Sequence, residues 1–355
     1  MSLDDPRRIN KYDRSGMLAL IGSFPQQCRE AREIGRLAVL PRSCRRRYQN
    51  IVCTGLGGSA IGADIARSYI ADDAATPLFV NRNYTLPRFV GPNTLVITSS
   101  YSGNTEETLS AYADARAKGA RIVAITSGGA LKKRADADGF PVVVIPGGLP
   151  PRCALGYSFF PLLAILGKAG VIKDRTADID EAIKVMVRLR DGTIGPLVTG
   201  KRNLAKAVAR QLYGKYPVIY GGQDHIDAVV TRWRGQLAEN AKTLGSSHVF
   251  PEMNHNEIVG WDNPKTLLKD FAVVILRDAG DHPRIARRID VTKAILKKSA
   301  AGIVEVRSSG RGLLARIFSL VYTGDFVSYY LAILNRRDPT PVERIAYLKE
   351  QLGKA

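Results

Sequence analysis

Short apolar runs alternate with longer stretches of mixed polarity along most of the chain. Each short run has the length and composition of a buried strand, and the stretches between runs carry apolar residues at helical spacing. Such alternation is typical of βαβ units, and therefore of a parallel sheet flanked by helices. The predicted strands are 49–54, 77–81, 94–98, 121–126, 141–145, 217–220, 248–250, 271–277 and 302–306, and the predicted helices include 60–70, 105–118, 226–242, 311–334 and 340–352.

The alternation stops once, at the glycine and proline residues of 147–151. Mostly helical segments follow to about residue 211, after which the order of strand, glycine turn and helix starts again. We therefore predict an N-terminal α/β domain at 1–160, a helical connector at 161–210 and a second α/β domain at 211–355 that ends in helices. The total of 355 residues agrees with two domains, since a domain has roughly 150 residues.

The chain is strongly basic, with 52 Lys and Arg residues against 33 Asp and Glu residues and a net charge of +19. This excess is compatible with nucleic acid, an acidic surface or an anionic substrate as the partner. Surfaces that bind single-stranded nucleic acid combine basic residues with aromatic ones. Aromatic residues make up only 7% of this chain and the basic run 45–47 is short, so nucleic acid is not predicted as a partner.

No segment is predicted to enter a membrane. The most apolar stretch near the C-terminus, 313–334, contains Arg316 and Asp325, and the N-terminus lacks the apolar core of a signal peptide. The four cysteines show neither the spacing of a zinc or redox motif nor that of a disulfide framework. We therefore expect a cytoplasmic protein with free thiols.

A glycine-rich turn at 55–62 joins the first predicted strand to the following helix. Glycines let a ligand approach the backbone closely, and a helix N-terminus offers N–H groups to an anion. The turn lacks the Gly-Lys-Ser/Thr of a P-loop. By itself it is equally compatible with a tight turn that binds nothing.

A second turn, at 98–105, contains five Ser and Thr hydroxyls within eight residues, between a predicted strand and a predicted helix. Hydroxyls and backbone N–H groups at a helix N-terminus can surround a phosphate. Asn104 and Glu107 also have the spacing of a helix-capping pair, so a strong N-cap is the alternative. A cap needs one polar side chain, whereas this turn has a row of hydroxyls, and we predict that it binds phosphate.

The run Ser-x-Ser-Gly-x-Thr-x-Glu-Thr at 100–108 resembles the phosphosugar-binding loop of sugar isomerase (SIS) domains. Further along, Gln-Leu-x-Glu-Asn-x-Lys at 236–242 and Pro-Glu-x-Asn-His-Asn-Glu at 251–257 resemble bifunctional phosphoglucose/phosphomannose isomerases, as do 151–156 and 338–341. The resemblance extends from about residue 13 to residue 352. It implies two flavodoxin-like SIS domains, each a parallel sheet flanked by helices, plus C-terminal helices.

The resemblance also implies an aldose–ketose isomerase that interconverts glucose 6-phosphate and mannose 6-phosphate with fructose 6-phosphate through a cis-enediol, without a metal or cofactor. Proton transfer between C2 and C1 needs a carboxylate base, a role that falls to Glu239. Ring opening needs a proton shuttle, a role that falls to His255. Without the resemblance, Glu239 is a surface residue paired with Lys242 or Arg232, and His255 a partner of Glu252 or Glu257.

The remaining site residues are also carried over from the family. Arg152 would stabilise the enediolate, with a phosphate-side or interface arginine as the alternative, and Lys349 would reach the ring oxygens unless it is an exposed helix lysine. Thr340 is a candidate for the small hydroxyl residue that the family has in this region. The predicted phosphate ligands are Ser59, Ser100, Ser102 and Thr105, with Gly57 and Gly58 near the substrate.

Two other functions compete with this interpretation. A non-catalytic phosphosugar-binding regulator would keep the hydroxyl loop but add a DNA-binding module, for which the first fifty residues are too short. An aminosugar-phosphate isomerase normally carries an amidotransferase domain with an N-terminal cysteine, which this sequence does not show. We expect small sugar phosphates as substrates, a homodimer, and a site at the crevice between the domains or at a subunit interface.

Overall fold

The computed structural model describes residues 3–223 and 225–353. Their contacts define two compact units. The N-terminal unit consists of Ser23–Lys184 and Gly310–Ile317, and the C-terminal unit consists of the described parts of Met1–Gly22, Val185–Ser309 and Phe318–Ala355. The division of the chain at 160 and 210 stays a prediction.

Nine strands form two sheets in the described chain, one sheet in each unit, and every strand pair is parallel. The N-terminal sheet has the order β2-β1-β3-β4-β5, and the C-terminal sheet has the order β7-β6-β8-β9. The strands are β1 (Asn50–Thr54), β2 (Leu78–Asn81), β3 (Thr94–Ser100), β4 (Arg121–Thr126), β5 (Val142–Val144), β6 (Tyr216–Gly222), β7 (Ser246–Phe250), β8 (Phe271–Arg277) and β9 (Gly302–Arg307).

Fifteen α-helices surround these sheets in the described residues. They are α1 (Pro6–Tyr12), α2 (Met17–Gly22), α3 (Phe24–Leu37), α4 (Gly58–Ile70), α5 (Glu106–Ala117), α6 (Gly129–Ala137), α7 (Leu155–Lys168), α8 (Thr176–Leu189), α9 (Leu204–Leu212), α10 (Asp227–Ala241), α11 (Glu257–Gly260), α12 (Lys265–Leu268), α13 (Pro283–Leu296), α14 (Leu313–Leu334) and α15 (Glu343–Leu352).

The central strands of each sheet are buried and largely apolar, as parallel sheets covered by helices require, whereas the edge strands are only partly buried. In the N-terminal unit, Val96 and Ile122 pack with Tyr112 of α5. In the C-terminal unit, Val273 packs with Ile289 of α13. The predicted fold of parallel sheets flanked by helices is confirmed, and all nine predicted strands are present with ends shifted by at most two residues.

Two predicted helices start later than their patterns indicate, each because of a local backbone restriction. The helix predicted at 340–352 begins at Glu343, since the residue before a proline is disfavoured in the helical region and Thr340 precedes Pro341. The helix predicted at 311–334 begins at Leu313, after Gly310, whose φ of +118° is not helical.

Helix α14 is long and apolar enough to cross a membrane by length and composition alone. Its most apolar window is 100% buried, as is expected for the core helix of a folded protein. Asp325 explains part of this placement, since its carboxylate accepts hydrogen bonds from the buried Arg232 at 2.9 and 3.1 Å. The helix is therefore a core element with a buried ion pair.

Candidate active site

The glycine turn and the hydroxyl loop lie side by side in the N-terminal unit. They follow β1 and β3, neighbouring parallel strands in which Thr54 is paired with Thr98. The backbone N–H of Tyr101 donates to Ser59 Oγ at 3.2 Å. Gly55 leaves no room for a side chain, because an added Cβ would lie 2.6 Å from the carbonyl oxygen of Ser99. Two motifs more than forty residues apart in sequence therefore form one surface.

The hydroxyl loop is held in a tight turn by its own side chains. The Ser100 hydroxyl lies 2.9 Å from Thr105 Oγ1 and accepts the Gly103 N–H at 3.1 Å. Gly103 has φ +71°, and a Cβ there would lie 1.9 Å from the carbonyl oxygen of Gly128. Ser102 is exposed, whereas Ser100 is buried. The loop thus directs hydroxyls and N–H groups toward the start of α5, where an anion is stabilised.

The alternative interpretation, in which Asn104 and Glu107 cap the helix, does not agree with the structure. Thr105 is the N-cap residue of α5 and makes no side-chain cap hydrogen bond. Asn104 Oδ1 instead accepts the N–H of Ala130, at the start of α6, at 2.9 Å. The asparagine therefore ties the loop to the neighbouring strand–helix connection rather than closing its own helix.

Arg152 lies on a short 3₁₀ turn, Pro151–Cys153, that packs directly against the glycine turn. A Cβ at Gly58 would lie only 2.4 Å from the carbonyl oxygen of Pro151, and the Ser158 hydroxyl donates to the Gly58 carbonyl at 3.2 Å. Arg152 is only 4% exposed. The N-terminal unit therefore brings together the glycine turn and Arg152, two features that the sequence separates by about ninety residues.

Tyr101 connects the hydroxyl loop to the segment before Arg152. Its hydroxyl oxygen accepts the N–H of Leu149 at 3.0 Å. Burial raises the pKa of the Tyr101 hydroxyl, and this effect exceeds the opposite one of the hydrogen bond from Leu149, which lowers the pKa. The hydrogen bond thereby joins the hydroxyl loop to the segment that precedes Arg152.

Glu239 lies on the last turn of α10 in the C-terminal unit and is half-buried. It lines a groove of about 690 Å³ together with Lys242 and with Asp338 and Pro341, the residues that precede α15. The two partners considered from sequence make other contacts. Arg232 forms a buried salt bridge with Asp325, and Lys242 Nζ donates to the main-chain oxygen of Glu239 at 2.5 Å.

His255 is exposed at the end of a 3₁₀ turn, Glu252–His255, that follows β7. The two glutamates considered as its partners accept hydrogen bonds from other residues. Glu252 Oε1 accepts from the Asn256 amide at 2.7 Å, and Glu257 accepts from the Tyr220 hydroxyl. Within the described residues, His255 is not part of the groove that contains Glu239.

Lys349 lies on the exposed helix α15 and, among the residues described, does not line the groove either. The same helix exposes Ile345, Leu348 and Leu352, with 41%, 57% and 54% of their surfaces accessible. The predicted C-terminal residues are therefore on three separate elements of one unit: the end of α10, the turn after β7, and α15.

Sequence reasoning missed a polar network that fixes the helix carrying Glu239. The Gln236 amide donates to Asp325 Oδ1 at 2.7 Å, and the Asn240 amide donates to Ser328 Oγ at 3.0 Å, all four residues being buried. These contacts align one face of α10 with α14. The available signal was Asp325 itself, because a carboxylate in an otherwise apolar helix requires a buried partner.

A search for metal ligands gives no site. Within residues 3–223 and 225–353, no three His, Cys, Asp or Glu side chains come together in an arrangement that could hold a metal ion. Some of these groups are bound to other side chains, as Glu257 is to the Tyr220 hydroxyl.

The sequence has relatives of known family over almost its whole length. Residues 201–352 match the bacterial phospho-glucose isomerase C-terminal SIS domain. The bifunctional phosphoglucose/phosphomannose isomerase of Caldicellulosiruptor bescii is 48% identical over 339 residues, which cover 95% of this chain and 99% of the relative. The enzyme of the same name from Aquifex aeolicus is 37% identical, over 86% of this chain and 91% of the relative.

Solved structures agree with these relatives at the level of the fold. The crystal structure of a hypothetical protein from Thermus thermophilus has a TM-score of 0.76 to this chain, with 16% sequence identity and coverage of 98% of this chain and 92% of that one. The resemblance predicted from the loop at 100–108 and the runs at 236–242 and 251–257 is thus confirmed. The chain belongs to the family of bifunctional phosphoglucose/phosphomannose isomerases.

Proposed function

We propose that this chain is an aldose–ketose isomerase that converts glucose 6-phosphate and mannose 6-phosphate to fructose 6-phosphate and back. The observation that carries the proposal is the hydroxyl loop between β3 and α5, joined to the glycine turn by the Tyr101–Ser59 hydrogen bond. It has the donors that a phosphate monoester needs. Relatives up to 48% identical bear the name of this activity.

The phosphate is bound by the N-terminal unit in this proposal. Ser59, Ser100, Ser102 and Thr105 supply hydroxyls, and the N–H groups at the start of α5 supply further donors. The backbone at Gly57 and Gly58 lies close to the sugar, which is supported by the φ of +52° at Gly57. Arg152, packed against this turn, stabilises negative charge that develops on the sugar oxygens.

The C-terminal unit supplies the acid and base groups. His255 moves a proton between O5 and O1 as the ring opens. Glu239 then removes the C2 proton, and the electrons of the C–H bond form the C1–C2 double bond while O1 takes a proton. Loss of the O2 proton makes the new carbonyl, and Glu239 returns its proton to C1.

The same intermediate explains two substrates. Glucose 6-phosphate and mannose 6-phosphate differ only in configuration at C2, and removal of the C2 proton makes that carbon planar. Thr340 is the residue proposed to help accept both configurations, and Lys349 the residue proposed to reach the ring oxygens. A regulator that only binds phosphosugars would need no carboxylate at position 239.

A coupled assay of both sugars with Glu239→Gln tests the proposal. We expect a loss of about a thousandfold or more in kcat with both sugars, because the base is removed while its shape is kept. Glu343→Gln, which removes another carboxylate from the same groove, is the matched control and should leave kcat within about twofold. Full activity of Glu239→Gln would eliminate Glu239 as the base. The assay is repeated with a chelator, and lost activity there would contradict a reaction without a metal.

We also propose that the enzyme is a homodimer. The support is the row of exposed apolar residues on α15, Ile345, Leu348 and Leu352, which a single copy leaves in water. Light scattering after size-exclusion chromatography should give twice the chain mass of 38.7 kDa. A single species with the mass of one chain at micromolar concentration would contradict the proposal.

We further propose that the enzyme works in the cytoplasm. The support is the four cysteines, all free thiols and three of them buried, as is usual where thiols stay reduced. Fractionation of the source cells followed by activity assays should recover the isomerase with cytoplasmic marker enzymes. Recovery with the membrane or extracellular fraction would contradict this location.

A further inference from the structure

The side chain of Lys242 joins the end of helix α10 to the segment that precedes α15. Its ammonium group donates to three main-chain oxygens: Glu239 O at 2.5 Å, Pro341 O at 2.6 Å and Pro339 O at 3.1 Å. An ammonium group has three N–H donors, so the geometry allows one hydrogen bond to each oxygen. The lysine is thus a bridge between two parts of the chain about a hundred residues apart.

The backbone of Lys242 has a left-handed conformation at the end of helix α10. Its φ is +55°, a left-handed conformation that is unfavourable for a residue with a side chain. Lysine at a helix C-terminus also interacts favourably with the helix dipole and its last carbonyl groups. The left-handed conformation closes the end of the helix, because the backbone N–H of Lys242 donates to the carbonyl oxygen of Leu237.

The bridge connects the backbone of Glu239 with the backbone on both sides of Thr340. One contact is the carbonyl of Glu239 itself, the proposed base. The other two are the carbonyls on either side of Thr340, the residue proposed to accept both configurations at C2. Asp338 adds a local contact, because its Oδ1 accepts the N–H of Thr340 at 3.0 Å. Glu239 and Pro341 line the same groove.

We propose that Lys242 is a positioning residue that sets the place of Thr340 relative to Glu239, and thereby the ratio of activities toward the two C2-epimeric aldose phosphates. This inference rests on the proposed function. Lys242 does not touch the sugar in it. Lys242 acts by holding the backbone on both sides of Thr340 against the helix end that carries the base.

We expect a change at Lys242 to alter the selectivity between glucose 6-phosphate and mannose 6-phosphate, because these substrates differ only at C2. Removal of a proton from C2 requires the base at a fixed distance for either epimer, whereas accommodation of the C2 hydroxyl depends on its nearest neighbours. A small displacement of the 339–341 backbone changes those neighbours while leaving α10 fixed by its buried contacts with Asp325 and Ser328. Differences of this kind are worth about tenfold in kcat/KM.

The test is the ratio of kcat/KM for mannose 6-phosphate to that for glucose 6-phosphate in variants of the full chain. Lys242→Met keeps the length of the side chain but removes its donors, and we expect the ratio to fall by about tenfold. Lys242→Arg restores donors and should return the ratio to within about threefold of the wild type. The matched control is Lys297→Met, at the C-terminal end of α13 in the same unit, which should leave the ratio unchanged.

A double-mutant cycle shows whether Lys242 acts through Thr340. Thr340→Ala should lower the ratio, and adding Lys242→Met to it should have no further effect on the ratio. Thermal unfolding is recorded for each variant. If Lys242→Met does not fold, Lys242→Leu, which also lacks N–H donors, takes its place in the same measurement.

Equal loss of activity toward both sugars in Lys242→Met, or an unchanged ratio, would overturn the positioning role. Independent, additive effects of Lys242→Met and Thr340→Ala would overturn it as well. The wild-type enzyme separates this outcome from failure of the proposed function. A wild type that converts only one sugar contradicts the dual activity, whereas a wild type that converts both with a ratio insensitive to Lys242 contradicts only the inference.

Discussion

The hydroxyl groups of the proposed phosphate loop differ in role because some are buried and others are exposed. Ser100 is buried and forms the turn through Thr105 and the Gly103 N–H, while Ser102 is exposed and accepts only the Asn104 N–H at 3.3 Å among the contacts of the described chain. Loss of a buried hydroxyl leaves its partners unsatisfied, whereas loss of an exposed one exchanges it for water. Ser100 is therefore a structural residue as well as a proposed phosphate ligand.

Thr105→Val tests whether the Thr105 hydroxyl binds the phosphate of the substrate. Valine keeps the branched shape at the N-cap but can neither donate to a phosphate nor accept the hydrogen bond from Ser100, so the KM for glucose 6-phosphate should rise about tenfold with kcat nearly unchanged. Steady-state kinetics and inhibition by inorganic phosphate measure both quantities. Ser110→Ala, on the same helix away from its N-terminus, is the control. A KM equal to that of the wild type would remove Thr105 from the phosphate site.

Individual residues also show where sequence spacing stops being informative. The hydroxyl loop is recognisable because its residues are consecutive in the sequence. Its first three residues are the last residues of β3. The spacing of Asn104 and Glu107 indicates a helix cap, but the partner of Asn104 is Ala130, which is 26 residues away on another strand–helix connection. Lys242 and Arg232 were considered as partners of the Glu239 side chain from helical spacing alone, which cannot reveal Asp325 on α14.

The two sheets differ at their carboxyl ends in a way that explains why phosphate binding is assigned to one of them. In the N-terminal sheet a glycine turn follows β1, whereas in the C-terminal sheet Gly221 and Gly222 are the last residues of β6. In each sheet the neighbouring central strand, β3 or β8, is followed by a polar loop. After β3 the loop has Ser and Thr hydroxyls, but after β8 it has Asp278 and Asp281. The Asp278 side chain accepts the Ser308 hydroxyl at 2.6 Å and the Gly280 N–H at 3.0 Å. The negative charge of these carboxylates disfavours a phosphate there, and the Gly280 N–H already donates to a carboxylate.

Gly58→Ala tests the contact between α4 and the turn that carries Arg152. An added Cβ would lie 2.4 Å from the carbonyl oxygen of Pro151, which is backbone and cannot move aside cheaply. We expect a loss of about 1–3 kcal/mol in the free energy of unfolding and a fall in kcat/KM of about tenfold or more. Gly91→Ala is the control, because a Cβ there meets no atom within 4 Å. Wild-type stability and activity of Gly58→Ala would contradict the contact.

Glu305 on β9 gives the C-terminal unit a dependence on pH. It accepts hydrogen bonds from Lys293 at 2.5 Å, Arg307 at 2.8 Å and Arg277 at 3.2 Å. Burial favours a higher pKa for Glu305, but the hydrogen bonds from Lys293 and Arg277 outweigh it and hold the pKa below its ordinary value of 4.5. A lowered pKa in the folded state stabilises the protein above pH 4.5, and that contribution is lost as the pH falls through the folded-state value.

Glu305→Gln should therefore lower the free energy of unfolding by about 1 kcal/mol at neutral pH. The difference from the wild type should shrink as the pH falls below 4.5, because the unfolded carboxylate is protonated there and the folded one is protonated at still lower pH. Urea unfolding between pH 7 and about pH 3 measures this difference. Glu343→Gln, exposed on α15, should show no such pattern. A difference that stays constant with pH would contradict the ionic role of Glu305.

The elements themselves were largely predictable from the sequence. Continuous apolar runs such as β4 and β8 are bounded by polar turns, and their predicted limits match the structure residue for residue. The contacts that give the elements their function were not predictable in the same way. The proximity of Gly58 to Pro151 and of Lys242 to Pro339 joins residues about a hundred positions apart, and hydrophobic periodicity contains no information about such pairs.

The charge of the whole molecule first pointed toward a polyanionic partner. The described site needs few of those charges, and much of the excess lies at 1–50 and 284–316. Two of the basic residues in the second segment, Arg307 and Lys293, are bound by Glu305. What remains is a positive field around the molecule, and such a field attracts a dianionic sugar phosphate from a distance.

A titration with sodium chloride measures how much this field contributes. Salt screens charges beyond about 10 Å at 0.1 M, so long-range attraction should weaken while contacts inside the site persist. We expect kcat/KM for glucose 6-phosphate to fall about five- to tenfold between about 0.02 and 0.5 M salt, with kcat changing less than about twofold. Thermal unfolding over the same range serves as the control for loss of folded enzyme. If kcat/KM is independent of salt, the net charge of +19 has no part in substrate capture, and the binding energy then comes from the loop and the glycine turn alone.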